Sequence, residues 1–257
     1  MVSINNVYQK VLALANKEQR GYITPQEFNL FANQAQQEIF EQYFYDLEQR
    51  QRGVGNKLDY ADIQNNIEQK IGLFEEITSC NISGSSVLLP GSDELYRLGT
   101  VRVAYYAGNS GVVVNRIDAV AEQIEYKDFI SSHWSPLTKA TRTRPICYIY
   151  ENPTTNPIHE GIKLRVYPLY PNAVTINYIR KPKKPNWTYT IANGQNAMFN
   201  PGSPNNPLGF QNFELHPSEE SKLVVKILGL TGVAIKDFNL AQLAGQKEAA
   251  TEQQQKQ

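Results

Sequence analysis

Arg144-Pro145-Ile146-Cys147-Tyr148-Ile149-Tyr150, Ile162-Lys163-Leu164-Arg165-Val166-Tyr167-Pro168 and Ala173-Val174-Thr175-Ile176-Asn177-Tyr178-Ile179-Arg180-Lys181-Pro182 follow one another along the chain. Each is rich in β-branched and aromatic residues. Pro- and Asn-rich turns such as Asn152-Pro153 and Asn156-Pro157 separate the first two, so the three read as successive strands. The third runs into a polar stretch from Lys183 to Glu214 that carries Pro185, Pro201, Pro204 and Pro207 and no hydrophobic period. At His216-Pro217-Ser218-Glu219-Glu220 a helix opens, and Leu223, Val224, Ile227, Leu228, Thr231, Ala234, Ile235 and Phe238 recur along it at steps of three and four. Strands, a loop and a docking helix describe an architecture; no step in the series has the spacing of an active site.

Upstream of this series the chain reads as helical. Ile4, Val7, Tyr8, Val11, Leu12 and Ala15 share one face of a short helix. Thr24-Pro25-Gln26-Glu27 combines a cap, a first-turn proline and a capping-box glutamate. The helix it starts, with Phe28, Phe31, Ala35, Ile39, Tyr43 and Leu47 on one face, is expected to run to about Arg52, where Gly53 and Gly55 stop it. A third helix carries Tyr60, Ile63, Ile67, Ile71 and Phe74. Val87-Leu88-Leu89 and the alternating stretch from Leu98 to Tyr106 are strands, and Val112-Val113-Val114 is the expected hairpin partner of the second across Gly108-Asn109-Ser110-Gly111. Ala119 to Ile130 reads as a short helix, and Leu240 to Glu252 as a helical tail. The expected fold class is α+β. It comprises an N-terminal helical region (1–77), a central small antiparallel β domain (78–182), a long polar loop (183–215) and C-terminal helices (216–257) that pack with the N-terminal ones.

Composition narrows the function classes. The 257 residues hold 25 Lys+Arg against 25 Asp+Glu, so no net field draws the molecule to nucleic acid or to a membrane. Charged residues are 19% of the chain while Tyr numbers 15, a balance that suits surfaces buried on assembly. No apolar run reaches the ~18 residues of a membrane span, and Met1-Val2-Ser3-Ile4-Asn5 does not open a signal peptide. Cys80 and Cys147 stand far apart outside any CxxC motif and read as buried free thiols, with a disulfide as the alternative.

Chemical motifs are sparse. His133, His159 and His216 form no metal-binding spacing. The chain has no GxSxG, no GxxxxGK[ST] and no GxGxxG. Glu219 and Glu220 fall in the first turn of a helix, where they complement its dipole. The expectation is a non-enzyme without cofactor or metal. One basic cluster, Arg180, Lys181, Lys183 and Lys184 around Pro182, has two readings: a sequence-independent contact with phosphate or a partner, or a solvated loop whose Lys and Pro keep a strand end from pairing.

The ordered series resembles the head-to-tail adaptor proteins of short-tailed bacteriophages, also described as tail tubular or head-completion proteins. The resemblance rests on Tyr148-Ile149-Tyr150, Leu164-Arg165-Val166-Tyr167-Pro168 and Val174-Thr175-Ile176-Asn177-Tyr178. These lead through an Arg/Lys-Pro pair and a loop to the helix from Glu214-Leu215-His216-Pro217 through Ala234. The segment from Gly21-Tyr22-Ile23-Thr24-Pro25 through Glu38-Ile39-Phe40 is similar to ring proteins of crAss-like phages of Bacteroidetes hosts. The resemblance implies a virion structural protein assembled in the bacterial cytoplasm. It would form a homo-oligomeric ring, commonly of twelve copies, that docks between the portal protein and the next tail ring or tail tube protein. Its lumen would touch viral DNA non-specifically, through residues such as Arg180, Lys181, Lys183 and Lys184. Another tail ring, a minor capsid protein, and a carbohydrate- or protein-binding β module remain the alternatives.

Overall fold

A computed structural model of the chain describes residues 1–16, 23–52, 58–83, 86–91, 94–107, 115–151, 162–192, 196–203 and 206–234, with short stretches between 242 and 250. The chain divides into two compact units, Met1–Leu73 with Pro182–Gln257, and Phe74–Lys181. Its helices are α1 (Ile4–Asn16), α2 (Pro25–Arg52), α3 (Leu58–Gly72), α4 (Tyr126–Trp134) and α5 (Glu220–Ala234). The class is α+β.

In the first unit α5 packs on α1 and α2. Val7, Tyr8 and Val11 of α1, Phe28, Ala35, Ile39 and Phe40 of α2, and Leu223, Ile227 and Thr231 of α5 are buried, as their periodicity requires. The expected capping box is present: Glu27 N–H donates to Thr24 Oγ1 (3.3 Å) and Thr24 N–H to Glu27 Oε2 (3.0 Å). The Thr24 hydroxyl also donates to Glu27 Oε2 (2.7 Å), and this bond, then the one from Thr24 N–H, holds the Glu27 carboxyl below its ordinary value. At the other helix entrance His216 Nδ1 accepts from Ser218 N–H (3.3 Å) and leads through a 3-10 turn (Pro217–Glu219) into α5. The third helix stops at Gly72, so Phe74, expected on it, belongs to the second unit. The expected helical residues Ile235 and Phe238 lie outside the described residues, as does most of the tail after them.

The segment 183–215, expected as a long polar loop, is anchored at several points. It carries two short hairpins, β9 (Tyr189–Ala192) with β10 (Asn196–Phe199) and β11 (Gly202–Ser203) with β12 (Asn206–Pro207). Trp187, Phe213 and Leu215 are fully buried. Asn29 on α2 accepts from Trp187 N–H (2.8 Å) and donates to Trp187 C=O (3.1 Å). Buried Gln36, about two turns further along, donates to Lys183 C=O (2.8 Å) and accepts from Glu214 N–H (3.1 Å). Two α2 amides thus supply the backbone partners that a ladder would otherwise provide, and the segment is held by its own chain.

The second unit is built on one sheet. Its strands are β1 (Glu75–Ser79), β2 (Ile82–Ser83), β3 (Ser86–Leu88), β4 (Leu95–Ala107), β5 (Asn115–Gln123), β6 (Ile146–Glu151), β7 (Ile162–Tyr167) and β8 (Ala173–Arg180). They lie in the order β1-β8-β4-β5-β6-β7-β3-β2. All neighbours are antiparallel except β5 and β6. Val101, Val103, Cys147, Leu164, Val166, Val174 and Ile176 form the core on one face. Where β4 departs from regular pairing with β8, a Cβ on Gly99 would stand 2.9 Å from the Asn177 carbonyl oxygen, so glycine is what permits the approach.

Two expectations change here. Residues 119–123, expected to open a helix, form the end of β5, with Ala119 opposite Val103 and Ala121 opposite Val101. The helix lies further on, as α4. A parallel pair cannot be closed by a tight turn, and α4 sits in the crossover from β5 to β6. The hairpin partner of β4 is β5; Val112-Val113-Val114 lie outside the described residues.

Both cysteines are free, Cys147 buried and Cys80 half-buried. Burial pushes the Cys147 thiol up to about 12 and raises that of Cys80. At pH 8 the Cys147 thiolate fraction is therefore on the order of a thousandfold below that of an ordinary thiol. Timed iodoacetamide labelling with peptide mapping should find Cys147 unmodified in the native protein and modified in urea. Fast native labelling of Cys147 would contradict this burial.

Candidate functional site

The four basic residues singled out in the sequence do not share one environment. Arg180 ends β8 with its side chain only 12% exposed; its Nε lies 2.8 Å from Glu76 Oε1 and its guanidinium 5.9 Å from the Phe74 ring centre. Its charge is committed within the sheet unit. Lys181, Lys183 and Lys184 are exposed. The chain passes from one unit to the other between Lys181 and Pro182. The Lys183 backbone is bound on both sides, its N–H to Glu214 Oε2 (2.9 Å) and its C=O to Gln36, which leaves its ammonium group for solvent or a partner.

A different surface gathers more functional character. Alternation along β6 and β7 sends Cys147, Leu164 and Val166 into the core. It sends Tyr148, Tyr150, Arg165 and Tyr167 to the opposite face, where Tyr148 stands across from Arg165 and Ile146 across from Tyr167. The crossover helix α4 lies on that face. Its Phe129 ring sits 4.5 Å from Tyr167 and 5.1 Å from Tyr148, and Tyr126 meets Tyr148 at 5.4 Å. The Arg165 guanidinium lies 5.8 Å from the Tyr150 ring centre, and the Tyr150 hydroxyl is 2.9 Å from Ser86 Oγ.

This face is aromatic but not closed. None of the residues of α4 is buried. Beyond Phe129, Trp134 is 81% exposed and Leu137 is 93% exposed. Arg165 has no carboxylate partner among the described residues, and its Nε is buried without a hydrogen-bond partner. A hydrogen bond with Tyr148 raises its already high pKa, and the nearby tyrosine hydroxyls contribute in the same direction. Tyr148 itself is buried, while Tyr126 is 59% exposed and Tyr150, Tyr167 and Arg165 are half-buried; Tyr and Arg are among the residue types that carry binding energy at protein interfaces. The alternation of Tyr148-Ile149-Tyr150 and Arg165-Val166-Tyr167 was the sequence signal for this face. What the sequence did not show is that the face would be lined by a crossover helix and left open.

Among the described residues no group of three or more His, Cys, Asp or Glu side chains is placed to hold a metal ion. Among them, too, no helix is long and apolar enough to cross a membrane. A scan against protein-family models finds no match, and a search of curated proteins finds no similar sequence.

Proposed function

We propose that this chain is a virion structural protein, a head-to-tail connector whose copies form a ring between the portal protein and the next tail component. The observation that carries the reading is the open aromatic face of the sheet unit, where Tyr126 and Phe129 of α4 meet Tyr148 and Tyr167, Arg165 meets Tyr150, and Trp134 at the end of α4 is 81% exposed. A single chain gains nothing by leaving such a surface in water; burying it against protein removes apolar area at roughly 25 cal/mol per Å². The strand, loop and helix order that resembles head-to-tail adaptors supports the same reading. The ring is a twelve-copy homo-oligomer by that resemblance, located in the virion at the head–tail junction after assembly in the host cytoplasm. Lys181, Lys183 and Lys184 are the exposed residues of the basic cluster and would meet DNA in its lumen without sequence preference.

Negative-stain imaging of the purified chain, alone and mixed with candidate portal and tail proteins, tests this. Closed rings or decorated portals are the expected result. A chain that remains a monomer and ignores portal and tail proteins in every mixture overturns the reading, and glycan binding by that monomer would instead assign the aromatic face to carbohydrate.

A further inference from the structure

The sheet unit has a second incomplete surface. Strand β1 is the last in the strand order and is paired on one side only, with β8. Its alternation places Glu75 and Ile77 on one face. Ile77 is 74% exposed, and Glu75 is exposed and makes no ion pair among the described residues. The strand is otherwise polar, so an apolar side chain this exposed on an unpaired edge stands out as a surface for another chain to cover. The aromatic face is its chemical complement. Among the described residues it has a guanidinium without a carboxylate, and rings left exposed on α4, whereas β1 has a carboxylate without a cation and an exposed aliphatic side chain.

We propose that β1 of one copy docks on the aromatic face of a second copy, with Glu75 pairing with Arg165 and Ile77 packing among the exposed rings. The inference rests on the ring reading above and names the contact that closes the ring. The two surfaces are different patches of one unit, β1 at one end of the strand order and β6 and β7 towards the other. Contact between unlike patches is heterologous, and repeated heterologous contact generates a ring when its rotation closes. A neighbouring protein surface fits better than a phosphate backbone, because the exposed Tyr126 and Ile130 of α4 gain nothing from phosphate.

Charge reversal tests the pairing on the full-length chain, under the conditions in which wild type assembles. Glu75→Arg and Arg165→Glu alone should each weaken assembly at least about tenfold by light scattering and native mass spectrometry, because like charges then face each other. The double variant E75R/R165E should recover it. Ile77→Lys, at an exposed position, should weaken assembly without touching Arg165, and circular dichroism should show all four variants folded. Rings formed by both single variants as readily as by wild type overturn the inference while leaving the ring reading intact. So does a double variant that fails to recover. Loss of duplex DNA retention in R165E with rings unchanged also overturns it and assigns the face to nucleic acid. A wild type that never assembles overturns both.

Discussion

Trp187→Ala is expected to lower the unfolding free energy by about 3–5 kcal/mol, the range for removing a large aromatic side chain from a packed interior. Trp187 is 1% exposed. Its ring lies 4.2 Å from Tyr8, 5.7 Å from Tyr189 and 6.0 Å from Phe199, centre to centre. Its indole N–H donates to Asn5 Oδ1 (3.1 Å). The substitution therefore leaves a cavity between α1 and the β9–β10 hairpin and also strips Asn5 of its donor. Trp187→Phe keeps much of the packing and loses the N–H, so its cost should be smaller. Urea unfolding followed by circular dichroism measures both. Hydrogen exchange should show the 189–199 hairpin losing protection first, because Trp187 joins it to the helices. A change below about 1 kcal/mol for the alanine variant would mean that the segment is not held by this residue.

The same tryptophan explains where sequence reading stopped. Strands β6, β7 and β8 and helices α1, α2 and α5 were legible because each repeats a local pattern: alternation in the strands, a step of three to four in the helices, and a Thr24–Glu27 box at one entrance. The 183–215 segment has no such repeat. It is ordered by single long-range anchors, Trp187 to Asn29 and Asn5, and Gln36 to Lys183 and Glu214. No local window contains both ends of any of them. Strand β5 was misread because its inward residues, Ala119 and Ala121, are small and carry little hydrophobic signal, while exposed Val120 supplied a false helical phase. Strand β1 was hidden by its composition: Glu75-Glu76-Ile77-Thr78-Ser79 is polar because it is an edge. For the candidate site, the rings of β6 and β7 could be counted in the sequence. Their assembly around Arg165 depended on a parallel β5–β6 pairing that no local pattern encodes.

Glu219→Gln is expected to destabilise the helical unit by about 3 kcal/mol, at the lower end of the range for breaking a buried ion pair. In the sequence Glu219 reads as a surface acid in a helix's first turn. In the fold its side chain is 5% exposed and pairs with Lys70 in the last turn of α3, whose side chain is 24% exposed. The Lys70 ammonium also lies 5.6 Å from the Tyr43 ring centre. Removing the carboxylate leaves that ammonium without its counterion, though its partial contact with water limits the penalty. Burial, and then the negative charge of Glu219, push the Tyr43 phenol far above its ordinary value. A raised folded-state pKa contributes stability below the unfolded value near 10 that is lost as pH rises towards the folded one. Wild type should therefore lose stability above about pH 10, and E219Q, whose Tyr43 lacks the carboxylate's influence, should lose less of it there. The double variant Lys70→Met/Glu219→Leu discriminates between two accounts of the pair. If the pair acts mainly by leaving no buried charge alone, replacing both partners by apolar side chains should restore most of the urea stability that E219Q loses. If the double variant is as unstable as E219Q, the ionic contact itself holds α3 to the start of α5.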